Sequence, residues 1–213
     1  MIRNAVELLS EKSSCAWMLL GKGPSFSNFL ESRKDISKYL RFGLNDTAAI
    51  VECDVVHFMD VAALDRTQVL GSPNFILPWH PHVNHKPTEM TLMDLIEQRP
   101  HTQLAKTWFE GRLFSYNSSL SRNKVEGLPT VYVRHFSSVA AVSLLAMAGV
   151  REVGLVGIDG GNRYSKVFHT GPLGANGRTH FKSQFSFILP IKRKHRMKIY
   201  PMFPNEENSE WMK

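Results

Sequence analysis

Cys15-Ala16-Trp17-Met18-Leu19-Leu20-Gly21-Lys22-Gly23-Pro24-Ser25 decides how this chain is read. An apolar run suited to a buried strand ends abruptly in Gly-x-Gly-Pro-Ser. Glycine at 21 and 23 lets the backbone turn sharply and approach a ligand closely, while Ser25 and the amides beyond it can face a phosphate. Open α/β sheets commonly hold nucleotides this way, although a strand followed by a glycine turn is also ordinary loop chemistry. The rest of the chain has to decide.

The C-terminal half supplies the next piece. Residues 130–133 read as a strand, residues 137–149 as a small-residue helix, and residues 152–156 as a buried strand, together a β-α-β unit. Val139, Val142, Leu145 and Ala146 recur at helical spacing and can meet a sheet, Ser137 opens the helix, and Gly149 ends it. The last strand runs into Gly157-Ile158-Asp159-Gly160-Gly161. A right-handed parallel crossover then puts Ser137 and Asp159 on the same rim as the first glycine turn, so three polar turns converge.

Between these landmarks the pattern is weaker. Residues 3–12 read as a short helix, and a Ser25- or Ser27-capped helix follows the glycine turn. Residues 36–42 form a short element leading to Gly43-Leu44-Asn45-Asp46, and residues 48–51 and 55–59 are strand candidates, the latter closing on Asp60. Residues 71–90, rich in Pro, His and Asn, read as an irregular loop, followed by a helix over 91–98 and a strand over 113–116. The polar stretch 117–128 suggests a mobile loop. Residues 181–194 read as a helix interrupted at Pro190, and 197–202 as a closing strand.

Composition bounds the class. With 213 residues, 43% hydrophobic and 21% charged, the chain is an ordinary globular one, neither disordered nor collagen-like. Cys15 and Cys53 are too few for a disulfide framework and lack zinc-site spacing, which favours a cytoplasmic setting. No apolar run approaches a membrane span. Much of the net charge of +7 comes from Lys182, Lys192, Arg193, Lys194, His195, Arg196 and Lys198, a segment that can meet an anionic membrane surface or a phosphorylated substrate. Neither a nucleic-acid signature nor aromatic-basic interleaving accompanies it, so nucleic acid is not an expected partner.

In order along the chain, the motifs are Gly21-Lys22-Gly23-Pro24-Ser25, Arg134-His135-Phe136-Ser137-Ser138, the run from Ala148 through Gly157-Ile158-Asp159, His180, and Lys198-Ile199-Tyr200-Pro201. Together they resemble the bacterial sialyltransferases of glycosyltransferase family 42 and the related domain of unknown function 115. That resemblance implies a glycosyltransferase-A-like α/β fold: a Rossmann-like, mostly parallel sheet flanked by helices, with residues 1–213 as one unit and 165–180 as a lid. It implies transfer of a nonulosonic sugar from a CMP-sugar donor to a glycan or lipid-linked acceptor hydroxyl. His180 would be the general base, with Arg134 and Tyr164 also catalytic. Gly21, Lys22, Gly23, Pro24, Ser25, Asn45, Ser137, Ser138, Gly157 and Asp159 would bind the nucleotide. A homo-oligomer peripheral to the inner membrane would fit the family. The chain departs from the pattern after Asp159, where Gly160-Gly161 and a lone Tyr164 replace a tyrosine pair.

This chemistry needs a base for the acceptor proton and groups that neutralise the departing phosphate. No metal is required, although Asp60 and Asp159 offer carboxylates for magnesium. His80, His82 and His85 lie within six residues and raise a zinc alternative to an acceptor-side loop. A magnesium- and ATP-dependent pterin diphosphokinase, or a noncatalytic nucleotide-binding module, are the competing functions. Gly-x-Ser-x-Gly and a Walker Gly-Lys-Ser/Thr are both missing.

Overall fold

The computed structural model describes residues 2–133, 136–168, 181–205 and 208. Its elements are α1 (Ala5–Ser10), β1 (Ala16–Leu20), α2 (Ser25–Glu31), β2 (Tyr39–Leu44), a 3-10 turn (Asn45–Ala49), β3 (Val55–His57), α3 (Val61–Arg66), β4 (Asn74–Pro78), β5 (His82–Val83), β6 (Lys86–Pro87), α4 (Leu92–Gln98) and α5 (Gln103–Phe109). Then come β7 (Leu113–Ser118), β8 (Thr130–Val131), α6 (Ser137–Met147), β9 (Glu152–Val156), a 3-10 turn (Lys182–Gln184), α7 (Phe185–Lys194) and β10 (Lys198–Pro201).

Eight strands form one sheet in the order β10-β9-β1-β2-β3-β4-β7-β8, and every neighbouring pair is parallel. This is an α/β Rossmann-like fold. Side chains alternate across it as strand geometry requires. Trp17 and Leu19 of β1 join α1, α6 and α7 on one face, while Met18 and Leu20 meet Phe26 and Phe29 of α2 on the other. Further along that second face, Val56, Phe75, Leu77 and Leu113 pack with Leu64 of α3, Leu92 and Leu95 of α4, and Leu104 of α5. α6 is buried over most of its circumference, as a helix apolar all round must be.

Several expectations are corrected. Residues 48–51 are not a strand: Thr47 Oγ1 bonds both the Leu44 amide and the Leu44 carbonyl, closing a 3-10 turn that Asn45 enters at φ 53°. The stretch 71–90 is not all loop. Phe75, Ile76 and Leu77 are buried in β4, whose proline falls on the strand's final residue, and His82–Val83 pairs with Lys86–Pro87 in a small hairpin. α7 continues through Pro190, and α5 was hidden in a polar-looking segment. The stretch 117–128 is fastened at its base, where buried Asn117 donates to the Val125 and Leu128 carbonyls and accepts from the Val125 amide.

One topological correction matters for the site. β8 and β9 do not neighbour each other; the chain runs through α6 from the far edge of the sheet back to β1. The three polar turns still meet, because the strands of this eight-stranded sheet are all parallel and their C-terminal ends share one rim.

Candidate functional site

β1 has β2 on one side and β9 on the other, so strand order reverses at β1, which is where open parallel sheets form their ligand crevice. Here the exits of β1 and β9 are laced together. The Gly21 amide donates to Val156 O at 2.7 Å and the Gly23 amide to Gly157 O at 2.8 Å. A Cβ on Gly21 would lie 2.5 Å from Gly157 O, and one on Gly157, at φ +65°, would collide with Gly21 O. These glycines are required by the approach of two backbones to each other.

Ser25 and Asp159 complete this lock. The Ser25 amide donates to Asp159 Oδ2 at 2.8 Å, the Gly157 amide donates to Ser25 Oγ at 2.7 Å, and Asn208 Nδ2 donates to Asp159 Oδ1 at 2.8 Å. Both residues are buried, and Ser25 stands behind the cavity wall rather than in it.

The cavity itself, about 470 Å³, opens over this crevice. Gly21, Lys22, Gly23, Pro24, Asn45, Ser137, Ser138, Gly157, Asp159 and Tyr164 all line it. Arg134 and His180 lie outside the described residues, as does most of the expected lid. The described start of that lid is anchored: the Ser165 amide donates to Lys22 O at 2.7 Å, Ser165 Oγ meets Ser27 Oγ at 2.6 Å, and Phe168 packs on Phe26.

Individual side chains differ in what they can offer. Lys22 Nζ lies 3.0 Å from Asp46 Oδ2 and 4.7 Å from the Tyr164 ring centre, so it is held over the cavity floor yet only partly neutralised. Burial, then the Asp46 charge, pushes the Tyr164 hydroxyl above the ordinary tyrosine range, which keeps it a hydrogen-bond donor at neutral pH. Ser137 opens the eleven-residue α6 at the cavity edge, whereas Ser138 Oγ is turned to Gln184 Oε1 at 2.7 Å. Arg66, Arg163 and Asp46 also line the cavity and were not singled out in the sequence; Asp46 and Arg163 adjoin Asn45 and Tyr164, the only signal that marked them.

Across the cavity stands a second polar group. Asp60, nearly buried, caps α3 by accepting from the Ala62 and Ala63 amides with Oδ1, and its Oδ2 takes the His85 amide and faces His85 Nδ1 at 3.5 Å. His82 adjoins Asp60 in an isolated bridge and also lines the cavity. His80 does not join them: it is buried, with Nδ1 donating to Glu89 O at 3.0 Å. Among the described residues no three His, Cys, Asp or Glu side chains converge as a metal site, so the histidine triplet is not a zinc cluster. Trp79 beside them is buried in the core.

Fold and site together define a parallel α/β protein with a polar cavity at its topological switch point. No protein-family model and no curated protein matches the chain. Among solved structures it is similar to a CST-II sialyltransferase point variant in complex with CMP, at 10% identity and a TM-score of 0.52, covering 90% of this chain and 82% of that one. The Campylobacter jejuni sialyltransferase CstII in complex with the substrate analogue CMP-3FNeuAc aligns at 12% identity and a TM-score of 0.48, over 90% and 82% of the two chains. A CST-II complex with a trisaccharide acceptor and CMP aligns at 11% identity and 0.49, over 89% and 82%. The match at 0.52 supports the sialyltransferase-like fold.

Proposed function

We propose that this chain is a glycosyltransferase acting on a nucleotide-activated sugar, and that its donor is a CMP-activated nonulosonic acid transferred to a glycan hydroxyl. The observation that carries the reading is the cavity at the β1/β9 crevice, into which residues 21–24, Asn45, Ser137 and residues 157–159 all open. Its fold is shared with a sialyltransferase crystallised with CMP. The cavity volume suits a nucleotide sugar. Lys22, Arg66 and Arg163 supply positive charge for a phosphate and a sugar carboxylate, and the Tyr164 hydroxyl can donate to the departing phosphate. By resemblance Arg134 and His180 join this set. The cationic last turn of α7, with Lys192, Arg193 and Lys194, suits an anionic lipid-linked acceptor or membrane surface, which liposome flotation at low and high salt tests.

The test is thermal denaturation with CMP, CDP, UDP, GDP and magnesium-ATP in separate arms, followed by chromatography of CMP released from CMP-sialic acid. A ligand at one hundred times its Kd stabilises by about 2.7 kcal/mol, or about 5–10 °C in a domain of this size. CMP alone should give that shift, and Lys22→Ala should weaken CMP binding about tenfold, the loss of one charge-assisted contact. A response to magnesium-ATP would favour the diphosphokinase instead; no response to any nucleotide would defeat both.

A further inference from the structure

The two rims of the sheet differ in charge. Because the eight strands are parallel, all of them begin on the rim opposite the cavity. The starts of β10, β9, β1 and β2 lie side by side there, with Lys198 beside Glu152, Val153 beside Trp17, and Ala16 beside Tyr39. Three segments entering these strands each bring an exposed cation: Lys12 ahead of β1, Lys38 ahead of β2 and Arg151 ahead of β9. α7 runs antiparallel to the strands, from Gln184 at the cavity to the start of β10, and so delivers exposed Arg193, Lys194, Arg196 and Lys198 to the same rim. Hydrogen bonds tie the pieces into one surface. Arg151 Nη1 donates to His195 O at 2.7 Å, the Lys198 amide to Arg151 O at 2.7 Å, and the Cys15 amide to Lys12 O at 3.1 Å. Beside these cations stand Glu11, Asp35 and Glu152, and Glu152 is already engaged by Lys198 at 3.4 Å and by the Tyr200 hydroxyl at 2.7 Å.

β9 spans five residues, about 16 Å at the rise of a strand. The cationic rim therefore stands about two Debye lengths from residues 157–159 of the cavity at physiological salt, and its charge is screened from any ligand there. It does not draw a phosphate into the site. The cations are instead spread over the starts of four neighbouring strands, about 14 Å across, a footprint that suits an extended anionic surface rather than a single anion.

We infer that this rim docks on an anionic lipid bilayer and turns the cavity away from it, so that the acceptor hydroxyl belongs to the outer end of a long glycan rather than to a sugar next to the lipid. The choice of acceptor rests on the transferase reading; the docking does not.

The full chain is floated with phosphatidylcholine vesicles containing phosphatidylglycerol, at low and high salt, and its CMP affinity is measured by calorimetry. Each cation removed beside an anionic surface lowers binding about fivefold, so Arg193→Ser, Lys194→Ser and Arg196→Ser together should lower it about a hundredfold with CMP affinity unchanged. Orientation is read with a maleimide fluorophore on Ser14→Cys, on the cationic rim, or on Asn123→Cys, in the loop that follows β7 on the cavity rim, each in a Cys15→Ser chain. Cys53 stays unlabelled because burial pushes its thiol up to about 12. Spin-labelled lipids should quench the first probe and spare the second. Equal quenching of both, or quenching of the second alone, would overturn the docking, and so would flotation that survives the triple substitution or capture by single-stranded RNA without flotation. With glycolipid acceptors in the same vesicles, kcat/KM should be about tenfold or more higher for a long headgroup than for a single sugar, which cannot span the distance to the cavity; the reverse order would overturn the choice of acceptor. A chain that docks yet binds no CMP would remove the transferase reading, and the acceptor with it, while the docking stands.

Discussion

Asp159→Ala separates a carboxylate that holds the glycine turn from one that holds a ligand. Both oxygens of Asp159 accept from protein donors at 2.8 Å, the Ser25 amide and Asn208 Nδ2, in a side chain that is almost fully buried. Hydrogen bonds to a charged acceptor contribute about 1.5–3 kcal/mol each, and the two stranded donors keep their desolvation cost, so the loss should be about 3–5 kcal/mol. For a domain of this size, that lowers Tm by about 10–15 °C. Ser25→Ala removes the acceptor of the Gly157 amide and should cost about 1–3 kcal/mol. Because both residues fasten one turn, the double variant should lose less than the sum of the two. Circular-dichroism melts with parallel CMP calorimetry decide the matter. An Asp159→Ala protein that melts within about 2 °C of the parent, a change of about 1 kcal/mol or less, while losing CMP affinity would refute the assignment and make the carboxylate a ligand contact.

Two further outcomes follow from buried titratable groups. Burial pushes the His57 imidazole down to about 3, with Nε2 against the Tyr116 hydroxyl at 3.0 Å. The unfolded chain binds the extra proton near 6.5, so this contribution is fully present above pH 6.5 and is lost as pH falls toward 3, at about 1.4 kcal/mol per pH unit. Urea unfolding between pH 4 and 7 should show that slope, and His57→Leu should flatten it; an unchanged slope would place the titrating group elsewhere. Burial pushes the Cys53 thiol up to about 12 against the opposing charge of Arg41. Iodoacetamide at pH 8 should leave Cys53 unmodified in the native protein and alkylate it in urea, as peptide mass spectrometry would report.

The parts of the fold legible in the sequence are those where one local pattern has one structural solution. The run ending at Leu20 and the stretch 152–156 could only be interior strands once each was followed by a glycine turn, and residues 137–147 carry too few polar groups for a surface helix. β4 was missed because Pro73 and Pro78 bracket it, and proline density argued for loop when the prolines merely mark its ends. The pairing of β9 with β1 rather than β8 is not written in either strand. It follows from where α6 can bury most of its circumference, between the sheet, α1 and α7, a property of the assembled layers.

The site was legible as a place and illegible as a division of labour. A polar side chain beside a glycine turn satisfies the same spacing whether it faces a ligand or closes the turn, and closing needs more of them than the sequence reveals. Ser25, Ser138 and Asp159 spend their polar atoms on Gly157, Gln184, the Ser25 amide and Asn208, while Lys22, Asn45, Ser137 and Tyr164 line the cavity without such closure of the turns. The first set fixes the backbone before any ligand arrives, which is what lowers the ordering cost of binding. Substitutions should therefore split in two: those in the first set lower Tm and lose affinity only as the turn loosens, and those in the second lose affinity at nearly constant Tm. A Lys22→Ala or Ser137→Ala protein that melted as early as Asp159→Ala would show that the cavity residues are themselves part of the frame.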